Sequence, residues 1–169
     1  MDTATDALID PERQFVGCLM QLPAPAARRV LAGMRGDDLA DPMAAHALQL
    51  AIEVLAAGQP PAPVTLYAHA LATGQAPGTL RRERLSGWLF DTYRDAPPPA
   101  LADHLKAVVL ETAWRHALTV HAMRVLHAAD TTPTATLREL VEDTTAIGEL
   151  WDRYQAATRH GAGRLGVAA

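Results

Sequence analysis

The chain has one cysteine, Cys18, one lysine, Lys106, and one serine, Ser86, in 169 residues. A single cysteine excludes an intramolecular disulfide framework and any metal site built on several thiolates, and its default place is a small buried position. With one lysine and a formal net charge of −4, the chain lacks the positive field that draws phosphate-rich partners, so direct nucleic-acid binding is expected to be weak or absent. The arginines gather only at Arg81, Arg82 and Arg84, where Glu83 interrupts them, and a solvated helix face is the expected reading. The lone serine stands in Leu85-Ser86-Gly87, without the flanking glycine pattern of a nucleophile elbow.

Other absences narrow the chemistry further. No glycine-rich loop ends in Gly-Lys-Ser or Gly-Lys-Thr, since Lys106 follows Leu105 inside a helical pattern, and no strand-glycine-helix dinucleotide signature occurs. His116, His121 and His127 are five and six residues apart, so they miss the four-residue interval that lets two imidazoles hold one metal. The pair Asp37-Asp38 has no neighbouring ligands and reads as a solvated loop. No catalytic, cofactor-binding or metal residue is expected, and the chain reads as a non-enzyme. No apolar run is long enough to span a membrane, and Met1 to Asp10 is acidic where a signal peptide would be basic and then apolar, so a cytoplasmic protein is expected.

What is present is alanine and aliphatic side chains: 49% of residues are hydrophobic but only 5% aromatic, which favours helices packed through small side chains. The expected fold is all-α, a globular helical head over residues 10–96 followed by a long antiparallel helical hairpin over 97–156, with 1–9 and 157–169 as flexible tails. Asp10-Pro11-Glu12 and Asp41-Pro42 are cap-and-proline helix starts. Phe15, Val16, Leu19 and Met20 make one apolar face, and Leu48, Ile52 and Leu55 another. Thr65 and Thr79 are candidate caps for two further helices, the second carrying Leu85, Trp88, Leu89 and Tyr93 on a shared face. Ala96-Pro97-Pro98-Pro99 is the strongest breaker in the chain and reads as a stiff corner between head and hairpin.

The hairpin's first helix runs from about Leu101 to Ala129, and its second from about Leu137 to Tyr154. At about 100° per residue, Leu105, Val109, Ala113, Val120 and Met123 form one stripe of the first helix. Leu110, Trp114, Leu118 and Val125 form another roughly opposite. The second helix presents a seam of Leu137, Leu140, Ile147, Trp151 and Tyr154 at alternating three- and four-residue steps. One seam cannot cover two stripes, so Leu110, Trp114, Leu118 and Val125 are expected to meet an oligomer partner or another protein, with packing against the head as the intramolecular alternative. Salt-bridge spacings such as Glu111 with Arg115 and Arg138 with Glu142 read as surface support.

The order of these elements resembles a known family. Glu12-Arg13-Gln14-Phe15-Val16-Gly17-Cys18-Leu19-Met20 is similar to the opening helix of the N-terminal domain of the bacterial replicative DNA helicase, the DnaB type. The run Leu50 to Leu55, then Gly58, Pro60, Val64-Thr65-Leu66, Leu71 and Gly74, follows that family's helix, Gly-x-Pro loop and Val-Thr helix start. Trp88-Leu89, the proline run and the long helix through Val108-Val109, Glu111 and Arg115 continue in the same order. Leu39, Ala40 and Ala44 stand where the family usually carries an aromatic pair and a histidine, with His46 displaced. The resemblance spans about Asp10 to Tyr154.

It implies a helical collar whose copies associate into dimers or larger rings, with primase or a replicative helicase as partner and a place in DNA replication. The chain ends at Ala169 before any motor domain, as a helicase fragment or a stand-alone relative, and neither ATP hydrolysis nor unwinding is expected of it. The alternative is a small helical DNA-binding regulator using Thr79 to Arg94, which would need salt-dependent duplex binding through Arg81, Arg82 and Arg84.

Overall fold

The structure, a computed structural model, describes the backbone of residues 10–165 and the side chains up to residue 159. The tail expected at 1–9, and the part of the other beyond 165, lie outside the described residues. Among the described residues all regular structure is helical, as expected. The chain divides into two compact units between Val109 and Leu110. The sequence suggested that break at the proline run, some ten residues earlier, and the run's own hydrogen bonds, given below, explain the difference.

The first unit contains α1 (Pro11–Met20), α2 (Ala24–Leu31), a 3-10 turn (Gly36–Asp38), α3 (Pro42–Ala56), α4 (Pro63–Ala72), α5 (Thr79–Arg94), a second 3-10 turn (Pro99–Leu101) and the start of α6 (Ala102–Ala129). The two Asp-Pro starts form as the sequence dictates. The Asp10 carboxylate accepts from the Glu12 amide at 3.0 Å, and that of Asp41 from the Met43 and Ala44 amides at 2.6 and 2.8 Å. Two other starts differ. α4 opens at Pro63, whose fixed φ suits a first turn, ahead of the expected Thr65 cap. α5 is capped by Gly78 at φ 78°, so Thr79 is already helical.

The core of this unit is α1 laid against α5, with α3 beneath and α4 linking α3 to α5. Phe15, Val16 and Leu19 are fully buried. Gly17 sits where the two helices come closest. A β-carbon there would stand 2.6 Å from Ala96 Cβ and 2.8 Å from the Thr92 carbonyl oxygen. On α5 the buried positions are Leu85, Leu89 and Thr92, while Trp88 is half-buried and Tyr93 exposed. The face turns at Thr92 because its hydroxyl oxygen accepts from Arg13 Nε at 2.9 Å, which satisfies a buried polar group with a charged donor.

The proline run is fastened to α1: Gln21 Nε2 donates to the Pro97 carbonyl at 3.1 Å, and Cys18 Sγ reaches the Pro97 and Pro98 carbonyls at 3.4 and 3.5 Å. It is therefore a corner within the first unit, after which Ala102, Leu105 and Val109 of α6 are buried. Burial pushes the Cys18 thiol up to about 11, so it stays protonated and inert at neutral pH. Glu12 spans Ala40 and Asp41, accepting from both amides at 2.9 and 2.8 Å and tying α1 to the start of α3. Arg28 donates to the Leu55 carbonyl at 3.1 and 2.7 Å, which caps the end of α3 with a cation. Asp38, expected in a solvated loop, is buried instead, and its carboxylate accepts from the Arg35 amide at 2.7 Å. The short turn needed an acceptor for that amide, and Asp38 was in reach.

Glu53 on α3 collects three donors. Gln49 Nε2 reaches it at 2.9 Å, Gln75 Nε2 at 2.8 Å, and the His69 ring nitrogen lies 2.7 Å away. The Gln49 hydrogen bond first, then that of His69, lowers its pKa below the ordinary glutamate value. A carboxylate whose folded pKa lies below its unfolded one stabilises the fold above the ordinary range near about 4.3. That stability is lost as pH falls through the lowered folded value. The melting-temperature gap between the native chain and Glu53→Gln should therefore close as pH drops from about 6 towards 3. A gap that stays constant would show that the Glu53 charge contributes nothing.

The second unit holds the rest of α6, then α7 (Thr134–Glu142) and α8 (Thr145–Leu165). The single second helix expected at Leu137 to Tyr154 is broken. Asp143, at φ −76° and ψ 73°, leaves the helical region, and the Thr144 carbonyl starts the next helix by accepting from the Gly148 amide at 2.9 Å. α7 begins at Thr134, and the Pro133 carbonyl opens it by accepting from the Leu137 amide. α8 continues to Leu165, which makes residues 157–165 helical where a tail was expected. Alanines and arginine in this stretch are good helix formers, and its glycines are outweighed.

Candidate interaction surface

From Leu110 onward, the half-buried or buried residues of α6 include Leu110, Trp114, Ala117, His121, Val125, Ala128 and the following Thr132. They recur at three- and four-residue steps and so share a face. Trp114 shows which way that face looks: its ring centroid lies 4.8 Å from that of Trp151 on α8, with the planes tilted by 46°. Trp151 in turn lies 5.3 Å from Tyr154, one turn on. These are favourable tilted aromatic contacts.

This arrangement corrects the expected assignment of the stripes. Leu110 is buried, Trp114 packs on the second arm, Val125 is half-buried, and only Leu118, 43% exposed, is open to solvent. The four do not form one outward stripe. Of the expected inner stripe, Val120 and Met123 are exposed, Met123 by 65%. The reason is that α6 carries apolar residues almost all the way round, so hydropathy alone could not choose a face. A tryptophan on each arm, with far more area to bury than valine or methionine, decides it.

The seam residues Leu137, Leu140, Ile147 and Tyr154 are half-buried, and Trp151 lies at its edge. Leu150 and Ala157 are buried and were not among the expected seam residues. They sit next to Trp151 and three residues after Tyr154, displaced because the break at Asp143 shifts the phase of α8.

The outer face of α6 presents Met123 and Leu126, the latter 74% exposed and, among the described residues, the most open large apolar side chain of the arm. Leu126 went unnamed in the sequence, although its three-residue step from Met123 was the signal. Thr119, one turn before Met123, is exposed as well. Its hydroxyl donates back to the Arg115 carbonyl at 2.9 Å, which leaves its methyl as the free part. Arg115 is itself paired with Glu111 at 2.7 Å, and Arg138 with Glu142 at 2.8 Å, as the four-residue spacing predicted. The row Thr119, Met123 and Leu126 itself carries no charged side chain.

Among the described residues no group of three or more His, Cys, Asp or Glu side chains is placed to hold a metal ion, and no helix is long and apolar enough to cross a membrane. His116 and His127 are exposed while His121 is half-buried. On α5, Arg82 donates to the Ala76 carbonyl and Arg94 is held by Asp91 and Asp95.

No family model matches the chain, and no curated protein matches it in sequence. Among solved structures it is similar to the crystal structure of the N-terminal domain of DnaB helicase from Mycobacterium tuberculosis, with a TM-score of 0.62 at 20% sequence identity. The likeness covers 87% of this chain and 92% of that one. At that identity it establishes architecture, and the architecture of this chain is that of a DnaB helicase N-terminal domain.

Proposed function

We propose that the protein is a non-catalytic oligomerisation and protein-docking domain that serves DNA replication in the cytoplasm, through self-association and contact with primase or a replicative helicase. The observation that carries this reading is the outward row of Met123 and Leu126 on α6, in a unit where few side chains are buried. Leaving two such residues in water forgoes about 1.5 to 3 kcal/mol each, and a second copy or a partner helix recovers that. The shared architecture with a DnaB helicase N-terminal domain supports the replication part of this reading. The oligomer surface proposed from the sequence is redrawn accordingly: Leu118 stays in it, Met123 and Leu126 join it, and Leu110, Trp114 and Val125 support the arm from within.

The test is size-exclusion chromatography with light scattering, followed by titration against a purified bacterial primase and a replicative helicase. A dimer or larger species and saturable binding to one of the two are expected. A strict monomer that binds neither at micromolar concentration would sink the reading.

A further inference from the structure

A cavity of about 370 Å³ opens in the first unit, between the start of α3, the loop after α4 and the first turns of α5. Its apolar lining comes from Pro42, Met43, Ala76 and Leu85. Two of its polar residues are already engaged. The Asp41 carboxylate caps α3, and the Gln75 amide nitrogen donates to Glu53. Two cationic side chains are not. Arg81 and Arg84, one turn apart on α5, are exposed, and among the described residues neither has an ion-pair or hydrogen-bond partner. Their neighbour Arg82 is turned back onto Ala76, so it is not available to the cavity.

We propose that this cavity captures the C-terminal residue of a partner polypeptide. Its apolar side chain fills the space between Met43, Ala76 and Leu85. Its carboxylate meets the Arg81 and Arg84 guanidinium groups. The chemistry selects this class because apolar side chains and two arginines line the same cavity of about 370 Å³. A terminal residue carries its side chain and its carboxylate on the same α-carbon. Arginine is the side chain best matched to a carboxylate, through two parallel N–H donors. A bare phosphate would leave the apolar walls empty. A nucleic acid is a long polyanion and would meet the field of a chain of net charge −4 over its whole length. The site does not depend on the arm and stands or falls independently of the assembly proposed above.

The experiment is a titration of the 15N-labelled full chain by NMR. N-acetyl-L-leucine should shift the Met43, Ala76 and Leu85 amides. N-acetyl-L-leucinamide, which lacks the carboxylate, should bind at least about tenfold more weakly, and Arg84→Ala, at an exposed position, should weaken N-acetyl-L-leucine to the same degree. A hexapeptide ending in leucine should bind about tenfold more tightly than the single residue. Equal binding of the amide, or the same shifts with inorganic phosphate, would overturn the terminal-carboxylate assignment. A hexapeptide no tighter than N-acetyl-L-leucine would assign the cavity to a free small carboxylic acid instead. Absence of shifts at these amides would remove the site altogether.

Discussion

Replacing Gly17 with valine should unfold the first unit or bring it to the edge of unfolding, and replacing it with alanine should cost about 2 to 3 kcal/mol. A glycine inside a helix is about 0.5 to 1 kcal/mol worse than alanine, so the intrinsic preference of α1 favours the substitution. Packing opposes it. The new β-carbon would arrive 2.6 Å from Ala96 Cβ and 2.8 Å from the Thr92 carbonyl, and the second of these is backbone that cannot rotate aside. α1 would have to lift from α5, loosening the burial of Phe15 and Leu19 together with the Arg13 to Thr92 hydrogen bond. Against a total stability of about 5 to 15 kcal/mol this is a large fraction. The measurement is urea unfolding followed by circular dichroism. Gly87→Ala on α5 is the matched control, since nothing lies within 4 Å of its added carbon. It should raise stability by about 0.5 to 1 kcal/mol. If both substitutions stabilise, the close crossing of α1 and α5 is refuted.

The double substitution Met123→Glu with Leu126→Glu should convert the assembled protein to a monomer with its helicity intact. The two side chains are 65% and 74% exposed, so the isolated chain loses little packing when they change. Two buried carboxylates, replacing about 1.5 to 3 kcal/mol of apolar burial each, should weaken association by more than about 100-fold. Trp114→Ala makes the contrast. It removes the ring that packs on Trp151 at 4.8 Å and should loosen the arm itself, seen as lost near-ultraviolet dichroism, before any change in association. An assembly indifferent to the double substitution, by light scattering across micromolar concentrations, would place the interface elsewhere.

How far the sequence could be read depended on whether the deciding interaction was local. The starts at Asp10-Pro11 and Asp41-Pro42 were legible because the cap and the proline act within one turn. The burial of Phe15, Val16 and Leu19 followed from periodicity. The helical order from α1 to the long α6 was legible through its resemblance to a known family. The inward face of α6 was not. Its apolar residues surround the helix, and only the meeting of Trp114 with Trp151, 37 positions apart, decides the matter. The break at Asp143 was hidden because the apolar spacing runs through it undisturbed. The cavity was illegible for the same reason as the face: His46, Ala76 and Arg84 belong to three separate segments, and nothing in any one of them marks a shared wall.

That break leaves α7 as nine residues with no buried side chain among them. A helix of this length is marginal on its own in water, because the cost of nucleation is spread over too few hydrogen bonds. The tip of the arm is therefore expected to open at a lower free energy than the longer helices, read as faster amide hydrogen exchange over 134–142. Under the docking role proposed above, a partner that grips the tip would first have to order it, at the cost of part of the contact energy. Such binding would be weaker than the area of contact suggests and quicker to release.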